Sequence, residues 1–298
     1  MISPPLLKAG DKVGIISPAG KVNKAKILQA VKYLNEWGLE VILGENALGS
    51  FHQFSGTDRE RTNDLQKMLN DSGIKAIFSS RGGYGTMRLM DLIDFTAFNK
   101  SPKWIVGFSD ITALHVYLNG LLNMESVHGA MPSTFPDIEN ESLNSLKEIL
   151  FKGTISYKLP YDKLNRPGIT NAPLVGGNLS ILYALSGSRF DLLTKGKILF
   201  IEDVGEYLYH LDRMMMNLKL SGKLSNLKGL LVGGISEMKD NEVPFGKNAN
   251  EIIYEYVENF DFPVAFNFPA GHIDTNLGLI FGRNISFVVN KDGGVIRF

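Results

Sequence analysis

Cysteine is absent from the 298 residues, and so is net charge: 31 Lys and Arg stand against 31 Asp and Glu. The lack of thiols excludes disulfides, thiolate zinc sites, iron–sulfur clusters and a cysteine nucleophile. It leaves the redox compartment open. The charge balance holds in each half, with 15 basic and 16 acidic residues over 1–150, and 16 and 15 over 151–298. Neither half offers the basic surface that holds nucleic acid by counterion release. No run approaches about 18 consecutive apolar residues, so no membrane span is expected. The opening residues, Met1 to Lys12, lack a charged stretch followed by a long apolar run. A signal peptide is therefore not expected, and a cytoplasmic protein is. What is present is the composition of a globular protein, 44% hydrophobic and 21% charged. The length favours two domains of about 150 residues each and suffices for sizeable cores.

The first half alternates short apolar runs with longer amphipathic ones. Lys12–Ser17, Leu39–Leu43, Ile74–Ser79 and Trp104–Gly107 read as strands. Asn23–Trp37, Asp58–Asn70 and Asp110–Leu122 read as helices, the second capped by Thr57 or Asp58. This order predicts a parallel sheet with helices on both faces, whose ligands gather at the carboxyl ends of the strands. Residues 152–173 are rich in Pro and Gly, with a short strand-like piece at Ile155–Leu159, and read as a crossing between domains. Beyond it, helices are expected from near Asn178, at Tyr207–Leu220 and at Asn248–Asn259. Strands are expected at Lys197–Glu202, Leu230–Gly233, Val264–Asn267, Gly278–Phe281, Ile285–Val289 and Val295–Phe298. The expected fold class is α/β: a parallel-sheet domain over 1–151, the crossing, and a smaller mixed β/α domain over 174–298.

The stretch from Trp104 to Asp110 runs an apolar strand through Gly107-Phe108-Ser109 into a helix. That context suits a nucleophile elbow, in which a tight strand-to-helix turn lifts a serine hydroxyl into a cleft. The helix start brings N–H groups and a partial positive charge near Ser109, and the Asp110 N–H is placed to hold an oxyanion. Ile111 stands where the Gly-x-Ser-x-Gly pattern has its second glycine. The same residues also read more simply, with Ser109 as the cap of the helix.

A serine nucleophile needs a base, and the sequence has five histidines. His115 sits about 9 Å along and about 120° around the same helix, out of reach. His52 lies in a polar loop and His210 inside an amphipathic helix. His128 reads as a strand end near the cleft. His272 lies in a Pro/Gly loop just after a strand, good ground for a rigidly held base. An acid must orient the histidine. Glu202 ends the strand at Lys197–Glu202, with Asp203 and Glu206 competing for the role.

Taken together and in order, these pieces resemble the LD-carboxypeptidases, a family of serine peptidases that includes muramoyl-tetrapeptide LD-carboxypeptidases and microcin C self-immunity peptidases. The strings that carry the resemblance are Gly107-Phe108-Ser109-Asp110, Ser80-Arg81-Gly82-Gly83-Tyr84-Gly85 and Gly176-Gly177-Asn178-Leu179. They continue through Ile201-Glu202-Asp203 and Tyr209–Met214 to Pro269-Ala270-Gly271-His272. The resemblance implies a Ser109–His272–Glu202 triad, with Gly83 giving a second oxyanion N–H and Gly82 as its nearest rival. It implies a flavodoxin-like first domain, a site in the groove between domains, and a homodimer. Arg81, Gly82 and Tyr84 become candidate substrate-binding residues; Arg81 reads either as a cation for a substrate carboxylate or as half of a structural ion pair. The implied substrate is a cytoplasmic murein tetrapeptide, cut before its terminal D-alanine. The reaction calls for no metal and no cofactor. Two alternatives remain: a microcin-immunity-type peptidase acting on aminoacyl- or peptidyl-nucleotide amides, and a non-catalytic sugar- or nucleotide-binding module using Arg81–Gly85.

Overall fold

A computed structural model describes all 298 residues. The first sheet is built from β1 (Lys12–Ile16), β2 (Glu40–Leu43), β3 (Ile74–Ser79), β4 (Trp104–Gly107) and β5 (Ser126–His128). All five are parallel and stand in the order 2-1-3-4-5. That is the flavodoxin-like order, with its switch point between β1 and β3. The crossovers are α1 (Lys24–Glu36), α2 (Asp58–Asn70), α3 (Thr96–Lys100) and α4 (Thr112–Gly120); α5 (Asn140–Lys152) follows β5. β3 and β4 are buried almost throughout, as strands covered on both faces must be. The helix starts are written in the sequence. Asn23 accepts the Ala25 N–H at 2.9 Å, and Thr57 with Glu60 closes a capping box at the head of α2.

The second sheet contains β6 (Ser156–Leu159), β7 (Gly168–Asn178), β8 (Ile198–Val204), β9 (Gly229–Ser236) and β10 (Val264–Ala265). β11 (Leu279–Phe281), β12 (Asn284–Asn290) and β13 (Gly293–Arg297) close the chain. The sheet order is 10-9-8-7-12-13-6. β7 to β10 run parallel, and β12, β13 and β6 are joined antiparallel. Its helices are α6 (Leu179–Leu185), α7 (Leu208–Leu220) and α8 (Ala249–Glu255). One hydrophobic core is shared by both halves: Ala113 and Leu114 of α4 pack in the same cluster as Leu182 of α6 and Met214 of α7.

Three features differ from the sequence reading. Residues 152–173 hold more than a short strand, because β7 already begins at Gly168 and pairs with β12. β11 does not join the second sheet; it pairs antiparallel with β5, so a late segment completes the first sheet. The helix expected from Asp110 opens instead as a 3-10 turn over Ser109–Ile111 before α4 begins.

Candidate active site

The loops after β1, β3 and β4 meet at the carboxyl edge of the first sheet. Ser109 stands two residues past the end of β4 with φ of +62°, a conformation rare for residues that carry a Cβ. Gly107 makes the turn possible, since a Cβ there would stand 2.8 Å from Ile111 Cγ1. An isoleucine thus fills the space beneath the turn where the Gly-x-Ser-x-Gly pattern has glycine.

His272 reaches Ser109 from the other half of the chain. The Ser109 Oγ lies 3.1 Å from His272 Nε2, and His272 Nδ1 lies 2.7 Å from Glu202 Oε2. The His272 backbone N–H donates to the same carboxylate oxygen at 3.2 Å. A carboxylate only accepts, so Nδ1 carries the proton and Nε2 offers its lone pair to the hydroxyl. Glu202 is fully buried on β8. Gly271 permits the close approach, because a Cβ there would fall 2.6 Å from Glu202 Oε2. The end of β9 holds the loop: Gly234 N–H donates to the Ala270 carbonyl and Ser236 Oγ to the His272 carbonyl, at 2.9 and 2.7 Å. Phe108 covers the imidazole, ring centres 4.8 Å apart. Burial alone would lower the His272 pKa. The hydrogen bond and charge of Glu202, with Asp203 and Glu237 behind it, outweigh that and raise it above the ordinary value.

A cleft of about 390 Å³ opens beside Ser109 and His272. Arg81, Gly82 and Gly83 line it from the loop after β3, and Asn178, Asp203 and Glu206 line it from the second half of the chain. Gly82 presses on the serine: a Cβ there would lie 2.9 Å from Ser109 Oγ and 3.4 Å from the Asp110 N. The Gly82 carbonyl accepts the Gly20 N–H at 3.2 Å, and the trans peptide turns the Gly83 N–H the opposite way. Neither the Gly83 nor the Asp110 N–H is taken by a protein acceptor. A second hollow of about 340 Å³ shares Phe108, Ser133, Thr134 and His272 with the cleft and is bordered by Lys26, Ile273 and Asp274.

Both halves of the chain match the models of one family. Residues 13–129 match the LD-carboxypeptidase N-terminal domain, and residues 171–287 match the LD-carboxypeptidase C-terminal domain. The chain belongs to the LD-carboxypeptidase family. By that membership it is a serine peptidase of the carboxypeptidase class. It is 34% identical to the probable murein peptide carboxypeptidase of Bacillus subtilis, covering 99% of this chain and 94% of that one. It superposes on the muramoyltetrapeptide carboxypeptidase of Oxalobacter formigenes with a TM-score of 0.87 at 28% identity, covering 96% and 98%. It is also 26% identical to the Microcin C7 self-immunity protein MccF of Escherichia coli, over 95% of this chain and 93% of that one.

In this LD-carboxypeptidase the residues expected at the site fall into two groups. Ser109, His272, Glu202, Asp110, Gly82, Gly83 and Arg81 converge on the cleft or its immediate support. Tyr84 does not line it; it is exposed beside Phe54, on a neighbouring groove with Lys21 and Gln53. Arg81 has no carboxylate partner, and its Nη1 donates to the Lys21 carbonyl at 3.1 Å. His128 is not at the cleft. It is fully buried among Phe108, Phe200 and Phe281 with both ring nitrogens unbonded. His115 is spent on Ser126 Oγ and the Gly107 carbonyl, both at 2.8 Å. Strand alternation turns Asp203 away from His272. It accepts from Asn178 Nδ2 and the Ser180 N–H, and burial with the neighbouring Glu202 charge pushes its carboxyl up to about 7. Glu206 is bound to His210 at 2.6 Å. Sequence reasoning assigned no role to Phe108, although its place before the serine at a strand end was a usable signal.

Proposed function

We propose that this LD-carboxypeptidase hydrolyses the amide joining the L-centre of a diamino acid to terminal D-alanine in murein tetrapeptides. Ser109 is the nucleophile, His272 the base and Glu202 the acid that orients it. The observation that carries the proposal is the hydrogen-bonded line from Ser109 Oγ through His272 to Glu202, at 3.1 and 2.7 Å, opening on a cleft. His272 Nε2 takes the hydroxyl proton as Oγ bonds to the carbonyl carbon. The oxyanion is held by the N–H groups of Asp110 and Gly83, donors preset for charge that develops in the transition state. His272 then gives its proton to the leaving amine of D-alanine. Water, activated by the same imidazole, releases the peptide acid and restores Ser109. Glu202 orients the imidazole through Nδ1 and stabilises the imidazolium.

Arg81, charged and without a carboxylate partner at the cleft wall, is assigned to the terminal carboxylate of the substrate. Gly82 gives the substrate backbone room against the nucleophile, and Tyr84 is assigned to the outer groove. The names of the Bacillus and Oxalobacter relatives support the murein substrate. The likeness to the self-immunity protein supports the alternative of peptidyl-nucleotide amides. The cleft itself is lined by Phe108 and His272, which pack on each other, while the exposed ring of Tyr84 stands in the adjoining groove, so the substrate comparison decides between the two. The proposal includes a cytoplasmic homodimer, supported by the family resemblance. No helix is long and apolar enough to cross a membrane.

The deciding experiment offers the protein a murein tetrapeptide and an aminoacyl-sulfamoyl adenylate in parallel. D-Alanine release at the higher kcat/KM supports the proposal. Preferred cleavage of the adenylate moves the function to the alternative. Binding without turnover, together with no labelling of Ser109 by a fluorophosphonate, returns it to a binding module.

A further inference from the structure

Arg61 is an arginine in the first turn of α2, a place where such side chains ordinarily reach water. Here it is buried to 1% exposure. Its guanidinium joins the loops that follow three parallel strands. Nη1 donates to the Pro18 carbonyl after β1 and to the Gly85 carbonyl after β3, the latter at 3.1 Å. Nε donates to the Gly56 carbonyl after β2 at 3.1 Å, and Nη2 is bound to Asp58. The ring of Phe54 lies 4.7 Å from its central carbon. Gly85 is moulded to it, with φ of +138° and no room for a Cβ, which would stand 2.6 Å from Nη1. None of this touches the cleft, whose lining does not include Arg61.

The loop so gripped is the one that carries Gly82 and Gly83. Its near end is tied by the Ser80 N–H to the Ile16 carbonyl at 2.7 Å, and by the Ser80 carbonyl to the Ser133 N–H at 2.9 Å. Its far end has two ties: the Gly85 carbonyl on Arg61, and the Thr86 N–H on Asp110 Oδ2 at 2.8 Å. Asp110 is the residue after Ser109, fully buried, so its carboxylate fastens the glycine loop to the nucleophile turn. Three glycines in five residues have no side-chain packing of their own to fix them. An oxyanion donor displaced by a fraction of an ångström loses much of its effect.

We propose that Arg61, with the Asp110 carboxylate as the second anchor, is a positioning residue that holds the Gly83 N–H in register with the Asp110 N–H for the oxyanion. The clamp rests on Ser109 being the nucleophile of the proposed reaction, and it goes beyond that assignment. It acts on the transition state rather than on substrate binding, so its signature is in kcat. It leaves the Glu202–His272 pair untouched, so the acid limb of the pH profile stays where it is.

The test compares Arg61→Lys, Asp110→Ala and Asp110→Asn with the parent protein, using tetrapeptide turnover from pH 5 to 8 and thermal unfolding. A lysine reaches one carbonyl and cannot fork across three loops. Arg61→Lys is expected to lower kcat roughly 10- to 100-fold with KM within about threefold and the acid limb unmoved. Asp110→Ala is expected to do the same, and Asp110→Asn, which keeps an acceptor for Thr86, to recover much of the loss. Parent-like kcat in folded Arg61→Lys overturns the clamp. So does a loss that tracks only the unfolded fraction, or one that displaces the acid limb. Should Arg61→Lys not fold, the Asp110 pair decides: equal activity in Asp110→Ala and Asp110→Asn overturns the clamp. Ser109→Ala is the control, since turnover there refutes the nucleophile assignment whatever Arg61 does.

Discussion

The backbone N–H of Asn178 donates to Thr112 Oγ1 at 2.9 Å, joining the end of β7 in the second sheet to the helix that follows Ser109 in the first. Gly177 makes room for this bond; a Cβ there would collide with the Thr112 side chain. Asn178 in turn donates through Nδ2 to Asp203, the neighbour of Glu202 on β8. A bonded path thus runs from the nucleophile turn through the second sheet and back through His272. The junction of the two halves thus holds Ser109 and His272, the proposed nucleophile and base, at their separation of 3.1 Å.

Thr112→Val keeps the shape at that junction and removes the acceptor. It strands the buried Asn178 N–H, at a cost of about 1–3 kcal/mol. The expected result is that loss of stability by urea titration, with kcat lowered about tenfold and KM nearly unchanged. Unaltered kcat in a folded variant would show that the junction does not set the catalytic distance.

Glu202→Gln tests the charge behind His272. In the proposed mechanism only neutral imidazole accepts the serine proton, so the rate is expected to fall as pH drops through the His272 pKa. Glu202 raises that pKa through its hydrogen bond and charge, against burial, which lowers it. The parent acid limb should therefore lie above the ordinary value of about 6.5. In Glu202→Gln it should move to lower pH, while the plateau rate falls roughly 10²- to 10⁴-fold. The pH dependence of kcat/KM reads both. A limb that stays or moves upward is the contrary outcome.

Gly82→Ala asks whether the glycine loop and the nucleophile touch as described. The new methyl would meet Ser109 Cβ at 2.8 Å and Oγ at 2.9 Å. The hydroxyl must move or the loop must withdraw, and either breaks the alignment proposed between Ser109 and the oxyanion donors. Turnover and fluorophosphonate labelling of Ser109 should both fall about 100-fold or more, with the unfolding temperature within a few degrees of the parent. Labelling at the parent rate would mean that the loop stands elsewhere.

Much of this arrangement was legible in the sequence where the signal is local. β3 and β4 are dense apolar runs that match closely, and the start of α2 is legible to within the choice of Thr57 or Asp58 as cap, which falls on Thr57; the serine sits where a strand ends, with a 3-10 turn before the helix. The pairing of His272 with Glu202 was not local. Seventy residues separate them, spacing alone favours Glu202 no more than Asp203 or Glu206, and only the family resemblance singles out Glu202. Strand alternation in β8 separates them physically, since Glu202 and Asp203 face opposite sides. β11 was misassigned because three apolar residues fit either sheet equally well. No local signal marks Arg61. An arginine on an amphipathic helix reads as surface, and it is buried only because the ends of three parallel strands deliver their loops onto it.

The proposed role of Ser109 as nucleophile stands or falls on D-alanine release from a murein tetrapeptide by the parent and by Ser109→Ala, with thermal unfolding run on both. The expected result is an unchanged unfolding transition and a loss of turnover on the order of 10⁴- to 10⁶-fold. Release by folded Ser109→Ala within tenfold of the parent would contradict it.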